Sequence, residues 1–116
     1  MLEAELEEKA QQLAERFRVG FLTPACLQFR FDDGRPFYLQ VSTHDFSFRT
    51  GEHGHPDITL YLDAHETCWS LLEGRLNGMQ AFMEGRYRAD GNIVLSQLLL
   101  YLFSPQNDTV AYTVRE

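Results

Sequence analysis

Two cysteines in 116 residues, Cys26 and Cys68, are too few for a disulfide framework and too isolated for a zinc signature. Their simplest reading is a pair of buried apolar thiols in a reducing compartment. Net positive charge is also lacking. Ten Lys and Arg stand against 17 Asp and Glu, a formal charge of −7. That argues against general nucleic-acid binding, which needs a basic footprint, and against unaided attraction to anionic membranes. No apolar run approaches the ~20 residues that cross a bilayer. The N-terminus is acidic and amphipathic, not basic and then apolar, so no signal peptide is expected. These absences predict a cytoplasmic protein without an integral membrane span. Repeats, low-complexity segments and linkers are missing too, and the length fits one domain over residues 1–116. Aromatic residues at 13% and apolar residues at 44% exclude a disordered class.

Catalytic and metal-binding patterns are equally sparse. His53 and His55 lie two apart in a glycine-containing loop, with His44 and His65 elsewhere. A catalytic zinc needs three protein ligands in fixed geometry with a supporting shell, and no helical HExxH or Cys pair is present. Asp32-Asp33 reads as part of a turn, and Gly51 to Gly54 is too short and too acidic for a phosphate loop. No residue set makes a positive case for an enzyme, a metal or a cofactor.

What the chain does have is concentrated between Gly74 and Phe103. Gly74, Gly78 and Gly85 punctuate the first half of this stretch, and Asp90-Gly91-Asn92 opens the second. From Ile93 to Phe103 only Ser96 and Gln97 are strongly polar and nothing is charged. A helix on one protein surface needs a single apolar stripe, whereas this one is apolar around most of its circumference. Either it is buried in the core, or one side packs on the core while the other lines a space for an apolar ligand.

The remaining elements follow from periodicity. Leu2, Leu6, Ala10, Leu13 and Phe17 place one apolar face on a helix over residues 2–17, ended by Gly20 and Pro24. Leu27, Phe29 and Phe31 alternate with Gln28, Arg30 and Asp32 as in a strand with one wet face. Asp33-Gly34 suits a hairpin turn, and Phe37, Leu39 and Val41 form the inner face of the returning strand. Short strands around Phe46–Phe48 and Ile58–Leu62 complete a four-strand meander. Asp63, with Glu66 three residues on, reads as the cap of a helix that reaches Glu73 and stops at Gly74. Asn77 caps a short helix broken by Gly85, Arg86–Ala89 form a fifth strand with both arginines on one face, and Asn92 caps the apolar helix. Val110, Tyr112 and Val114 alternate as in a sixth, edge strand. The pattern predicts an α+β domain: a mostly antiparallel sheet of five to six strands with helices on one face.

The stretch from Gly74 resembles the sterol carrier protein type 2 family in four pieces: Gly74-Arg75-Leu76, Ala81-Phe82, Gly85-Arg86 and Gly91-Asn92. Upstream, Pro56-Asp57-Ile58-Thr59-Leu60 followed by Asp63 looks like that family's fourth strand and crossover. The likeness covers residues 56–103 well and the N-terminal part in element order only. It implies an apolar tunnel between sheet and helices, and binding of fatty acids, acyl-CoA, sterols, phospholipids or isoprenoid lipids without chemical change. Similar bacterial members include accessory factors of ubiquinone biosynthesis and C-terminal domains of alkyl sulfatases. The sequence ends Val-Arg-Glu, so the peroxisomal C-terminal tripeptide of animal members is not expected.

The expected function is therefore non-enzymatic carriage of a fatty acid, phospholipid or polyprenyl quinone precursor. Its expected lining is Trp69, Leu72, Leu76, Phe82, Met83, Leu95, Leu98, Leu99 and Leu102, with Arg75, Arg86 or Arg88 at a polar head. Arginine suits a phosphate because its planar fork binds two oxygens. The bland reading of the same arginines is a solvated sheet face paired with Glu, and that of the leucines is ordinary core. The alternative function is a scaffold in which the apolar helix and tail form a homodimer or contact a biosynthetic enzyme.

Overall fold

The computed structural model describes residues 2–18 and 24–103. The expected stops at Gly20 and the sixth strand at Val110–Val114 lie outside the described residues. In chain order the elements are helix α1 (Leu2–Ala14), strands β1 (Ala25–Asp33), β2 (Phe37–Val41), β3 (Phe46–Thr50) and β4 (Ile58–Ala64), helices α2 (His65–Leu72) and α3 (Gly78–Met83), strand β5 (Tyr87–Gly91) and helix α4 (Ile93–Leu102). The fold is α+β.

The five strands form one sheet in the order β3-β2-β1-β4-β5. Three of the pairings are antiparallel, and β1 runs parallel to β4 with Phe29 opposite Leu60. The meander expected from the sequence is thus replaced by a crossover. After β3 the chain must return across β2 and β1 before β4 can pair. Residues 51–57 make that return as a strap over the outer face. Gly51 N–H bonds Pro36 O at 3.0 Å, and Asp57 N–H bonds Cys26 O at 2.9 Å. The Asp57 carboxylate takes the Cys26 N–H in return at 2.8 Å.

The strap explains Gln28, which the alternation had assigned to a wet face. Gln28 is only 3% exposed. Its amide nitrogen donates to Phe37 O at 3.2 Å and Gly51 O at 3.1 Å, and its oxygen accepts the His53 N–H at 2.7 Å. A buried amide is tolerable because every polar atom is matched.

The inner face carries the core. Leu27, Phe29, Phe37, Leu39, Val41, Ile58, Leu60 and Leu62 alternate inward and are buried beneath the helices. Each such side chain contributes about 1.5–3 kcal/mol on full burial. Leu2, Leu6 and Leu13 seat α1. The helix ends at Ala14, three residues before Phe17, yet Phe17 still packs inward against Phe46 with ring centroids 4.8 Å apart.

Two further expectations change. The loop after β1 wraps around His65 instead of closing a two-residue turn: His65 Nε2 lies 2.9 Å from Arg35 O, and a Cβ on Gly34 would meet that nitrogen at 2.8 Å. Asp63 does not cap α2, because β4 continues through Ala64, which is the N-cap. The Asp63 carboxylate instead accepts from Thr67 and pairs with Arg86.

Candidate functional site

The helices after β4 are set by short-range signals. α2 and α3 end in the same way. Glu73 and Glu84 are the C-caps, followed by Gly74 and Gly85, each with φ near +79°. Arg75 N–H reaches back to Ser70 O at 2.9 Å, and Arg86 N–H to Ala81 O at 2.9 Å. This six-to-one closure needs a left-handed residue, which glycine adopts without a Cβ penalty. Asn77 begins α3 by accepting the Gln80 N–H at 2.9 Å, and Asn92 begins α4 by accepting the Val94 N–H at 3.1 Å. Both caps stand where the sequence placed them.

The residues expected to line a ligand space fall into three groups. Trp69, Leu72, Leu95, Leu99 and Leu102 are buried and belong to one continuous core with β4 and Tyr87. Leu76 and Leu98 are half-buried at its margin. Phe82 and Met83 face outward, and only Ala81 of α3 is buried. Phe82 does keep a ring contact with Tyr87 at 5.7 Å. The structure therefore gathers seven of the nine and leaves two outside.

Trp69 is the best-fixed of them. It stacks on Phe37 at 5.2 Å with 9° between the rings, and meets Phe48 edge-on at 5.3 Å. Its indole N–H donates to Glu5 Oε2 at 2.7 Å, and Lys9 Nζ lies 5.6 Å from the ring centroid. A buried indole needs an acceptor, which is the one signal in the sequence that could have pointed to a Glu on α1. Lys9 also pairs with Glu73 at 3.0 Å. Burial pushes the Glu73 carboxyl up, but hydrogen bonds from Lys9 and Arg75 outweigh it and hold the group below its ordinary value.

The three arginines do not converge. Arg75 sits at the α2–α3 corner next to Leu76 and is held by Glu73 at 2.7 Å and Glu66 at 3.2 Å. Arg86 is 3.4 Å from Asp63 and donates to Thr67 Oγ1 at 3.2 Å. Burial raises the Asp63 carboxyl, and bonds from Thr67 and Arg86 more than reverse this. Arg88 stands opposite Tyr61 with its guanidinium carbon 4.2 Å from the ring centroid. Arg88 thus lies with Tyr61 on the outer face, while Arg86 stands just before β5, which begins at Tyr87, and reaches Asp63 and, in α2, Thr67.

α4 resolves the ambiguity of the apolar helix in part. One side, Leu95, Ser96, Leu99 and Leu102, is built into the core. Leu98 and Leu100 are half-buried, and Ile93, Val94 and Tyr101 are exposed. The N terminus of α3 packs closely on it: a Cβ on Gly78 would lie 2.5 Å from Leu100 Cδ1.

Both thiols are free and buried. Burial, and then the charge of Asp57, push Cys26 up to about 11; burial drives Cys68 well above its ordinary value. His53 Nδ1 accepts the His55 N–H at 2.9 Å, and His65 is turned to the Arg35 carbonyl. Among the described residues no three His, Cys, Asp or Glu side chains gather into a metal-holding group. No helix of the described residues is long and apolar enough to cross a membrane.

Comparison with known proteins agrees with this architecture. Among solved structures, the stereoselective inverting sec-alkylsulfatase Pisa1 from Pseudomonas sp. superposes with a TM-score of 0.66 at 21% identity, covering 83% of this chain but only 16% of that one. The chain thus spans a small part of that enzyme's length. The ubiquinone synthesis protein UbiJ-SCP2 superposes with a TM-score of 0.64 at 16% identity, over 87% of this chain and 88% of that one. Sterol carrier protein 2 from Aedes aegypti, solved with the C16 fatty acid palmitate, gives 0.61 at 14% identity over 85% and 90%. At these identities the likeness establishes the fold. No curated protein matches the chain. The family model for SCP-2 sterol transfer proteins matches residues 3–104, and the chain belongs to the SCP-2 sterol transfer family.

Proposed function

We propose that this domain binds a long-chain hydrophobic ligand between the sheet and α4 and carries it without chemical change. The observation that carries this reading is α4 itself. Its Leu95–Leu99–Leu102 side is fixed in the core, while Leu98 and Leu100 lie half-buried at the core margin. Parting α4 from β4 and β5 would expose a lining of Leu76, Leu95, Leu98, Leu99 and Leu102, with Leu72 and Trp69 behind. Each methylene of an acyl or prenyl chain taken up there would contribute ~0.8 kcal/mol. Of the three arginines, Arg75 is the one beside the margin. It could meet a polar head by exchanging its exposed partner Glu66. The palmitate named for the Aedes aegypti protein and the ubiquinone synthesis role named for UbiJ-SCP2 support a fatty acid or a polyprenyl quinone precursor as cargo. Cys26 and Cys68, buried and unpaired, suit a reducing cytoplasm.

The test is titration with a fluorescent fatty acid. Wild type should bind saturably. Leu98→Asp should weaken binding at least tenfold while thermal unfolding shows a folded protein, because a carboxylate in the lining must be desolvated. Unchanged binding in the folded variant would remove the assignment.

A further inference from the structure

Helix α3 is built inside out. Its inward position is the small Ala81, fully buried, and its first residue is Gly78, set hard against Leu100. Its large residues Met79, Phe82 and Met83 fall at positions i, i+3 and i+4, which share one face of a helix. They are 66%, 52% and 77% exposed. The ends of the helix are fixed by the Asn77 cap and by Gly85, so the presentation is a property of the fold and not of a frayed turn. None of the six residues is charged.

We propose that this stripe is the surface by which the domain touches an uncharged lipid layer. The inference rests on the carrier reading, since it names the place where the carrier meets the phase that holds its cargo. Two features of the molecule favour this occupant. The first is charge. A chain of net charge −7 is repelled by an anionic layer, while a charge-free stripe of Met, Phe and Met can enter a neutral one by apolar burial alone. The second is area. The three side chains expose roughly 400 Å², within the range of the largest apolar patch on a typical monomer. A patch of this extent supports a reversible visit, which a carrier needs. Through Gly78 and Leu100 the stripe is joined to α4, so docking brings the half-buried Leu100 side of α4 next to the layer.

The experiment is flotation with phosphatidylcholine vesicles, comparing wild type with the triple variant Met79→Gln, Phe82→Gln, Met83→Gln. Wild type should float with the vesicles, hold on at high salt, and bind phosphatidylglycerol vesicles less well. The triple variant should lose at least tenfold in apparent affinity. Met83→Glu alone, at the most exposed position, should lose most of the binding and guards against a folding defect in the triple variant. Fatty acid supplied as monomers should bind wild type and variants within about twofold. Flotation of the variants equal to wild type would overturn the proposal. So would salt-sensitive binding confined to phosphatidylglycerol, an absence of wild-type binding, or a wild-type dimer that the substitutions convert to monomer. Failure of wild type to bind monomeric fatty acid would instead sink the carrier reading, whatever the vesicles show.

Discussion

The two ends of the helical layer are built on opposite plans. At the α1 end, apolar seating by Leu2, Leu6 and Leu13 is reinforced by polar ties across the sequence: Glu5 to the Trp69 indole, Lys9 to Glu73, and Arg16 to the Glu73 carbonyl at 2.9 Å. At the α3 end the side-chain hydrogen bonds run within the helix itself, Asn77 to the Gln80 backbone and Gln80 to Glu84 at 3.0 Å. Its docking uses Ala81, the Phe82–Tyr87 ring contact and the close approach of Gly78 to Leu100. Long-range polar ties demand one geometry, because a displaced partner leaves a buried donor or acceptor unmatched. Apolar contacts over small residues tolerate sliding. On the carrier reading proposed above, the α1 end would hold the domain closed and the α3–α4 end would be the place for it to open.

If this contrast is right, the largest loss of stability lies at Trp69. Trp69→Ala removes the stack on Phe37 and the indole bond to Glu5, and should destabilise by about 3–5 kcal/mol in denaturant titration; a loss under 1 kcal/mol would remove Trp69 from the closed side. At the open end, Gly78→Val drives a branched side chain into Leu100. It should destabilise by about 1–3 kcal/mol, and Leu100→Ala should restore most of that in the double variant. Equal losses with and without Leu100→Ala would mean that α3 does not bear on α4 there. Asn92→Ala should cost about 1 kcal/mol through the lost bond to the Val94 N–H.

Smaller effects separate the ends by pH. The carboxyl of Glu73 titrates below its ordinary 4.5 in the folded chain. Its pairing with Lys9 and Arg75 therefore stabilises fully above that value and is lost as pH falls through the lower folded value. Wild type should exceed Glu73→Gln in thermal stability at neutral pH, and the two curves should converge as pH falls below about 4.5. Curves that stay parallel would deny the pair its role.

Local signals made much of the fold legible. The Asn77 and Asn92 caps, the stops at Gly74 and Gly85 and the strand alternation act within a few residues, so the sequence carries them directly. Strand order does not lie in such signals. Nothing near Gln28 announces that residues 51–57 will cross above it, and the parallel pairing of β1 with β4 is settled only when the whole sheet assembles. The candidate site was legible to a similar depth. Phe82 and Met83 were expected to line a ligand space, but nothing local in the sequence says where the large side chains of α3 point. Ala81 and Gly78 decide it, because only small residues fit where α3 meets the core and Leu100. The same limit applied to Arg86 and Arg88: alternation puts both on one strand face, but β5 begins at Tyr87 and Arg86 reaches Asp63 and, in α2, Thr67.

The central claim is that the domain carries a lipid. It is met most directly by native mass spectrometry of the protein purified without detergent, followed by organic extraction. The carrier account expects a bound mass in the range of a fatty acid, phospholipid or polyprenyl compound, released when Leu98 is replaced by Asp. An empty protein that also fails to take up a fluorescent fatty acid would contradict it.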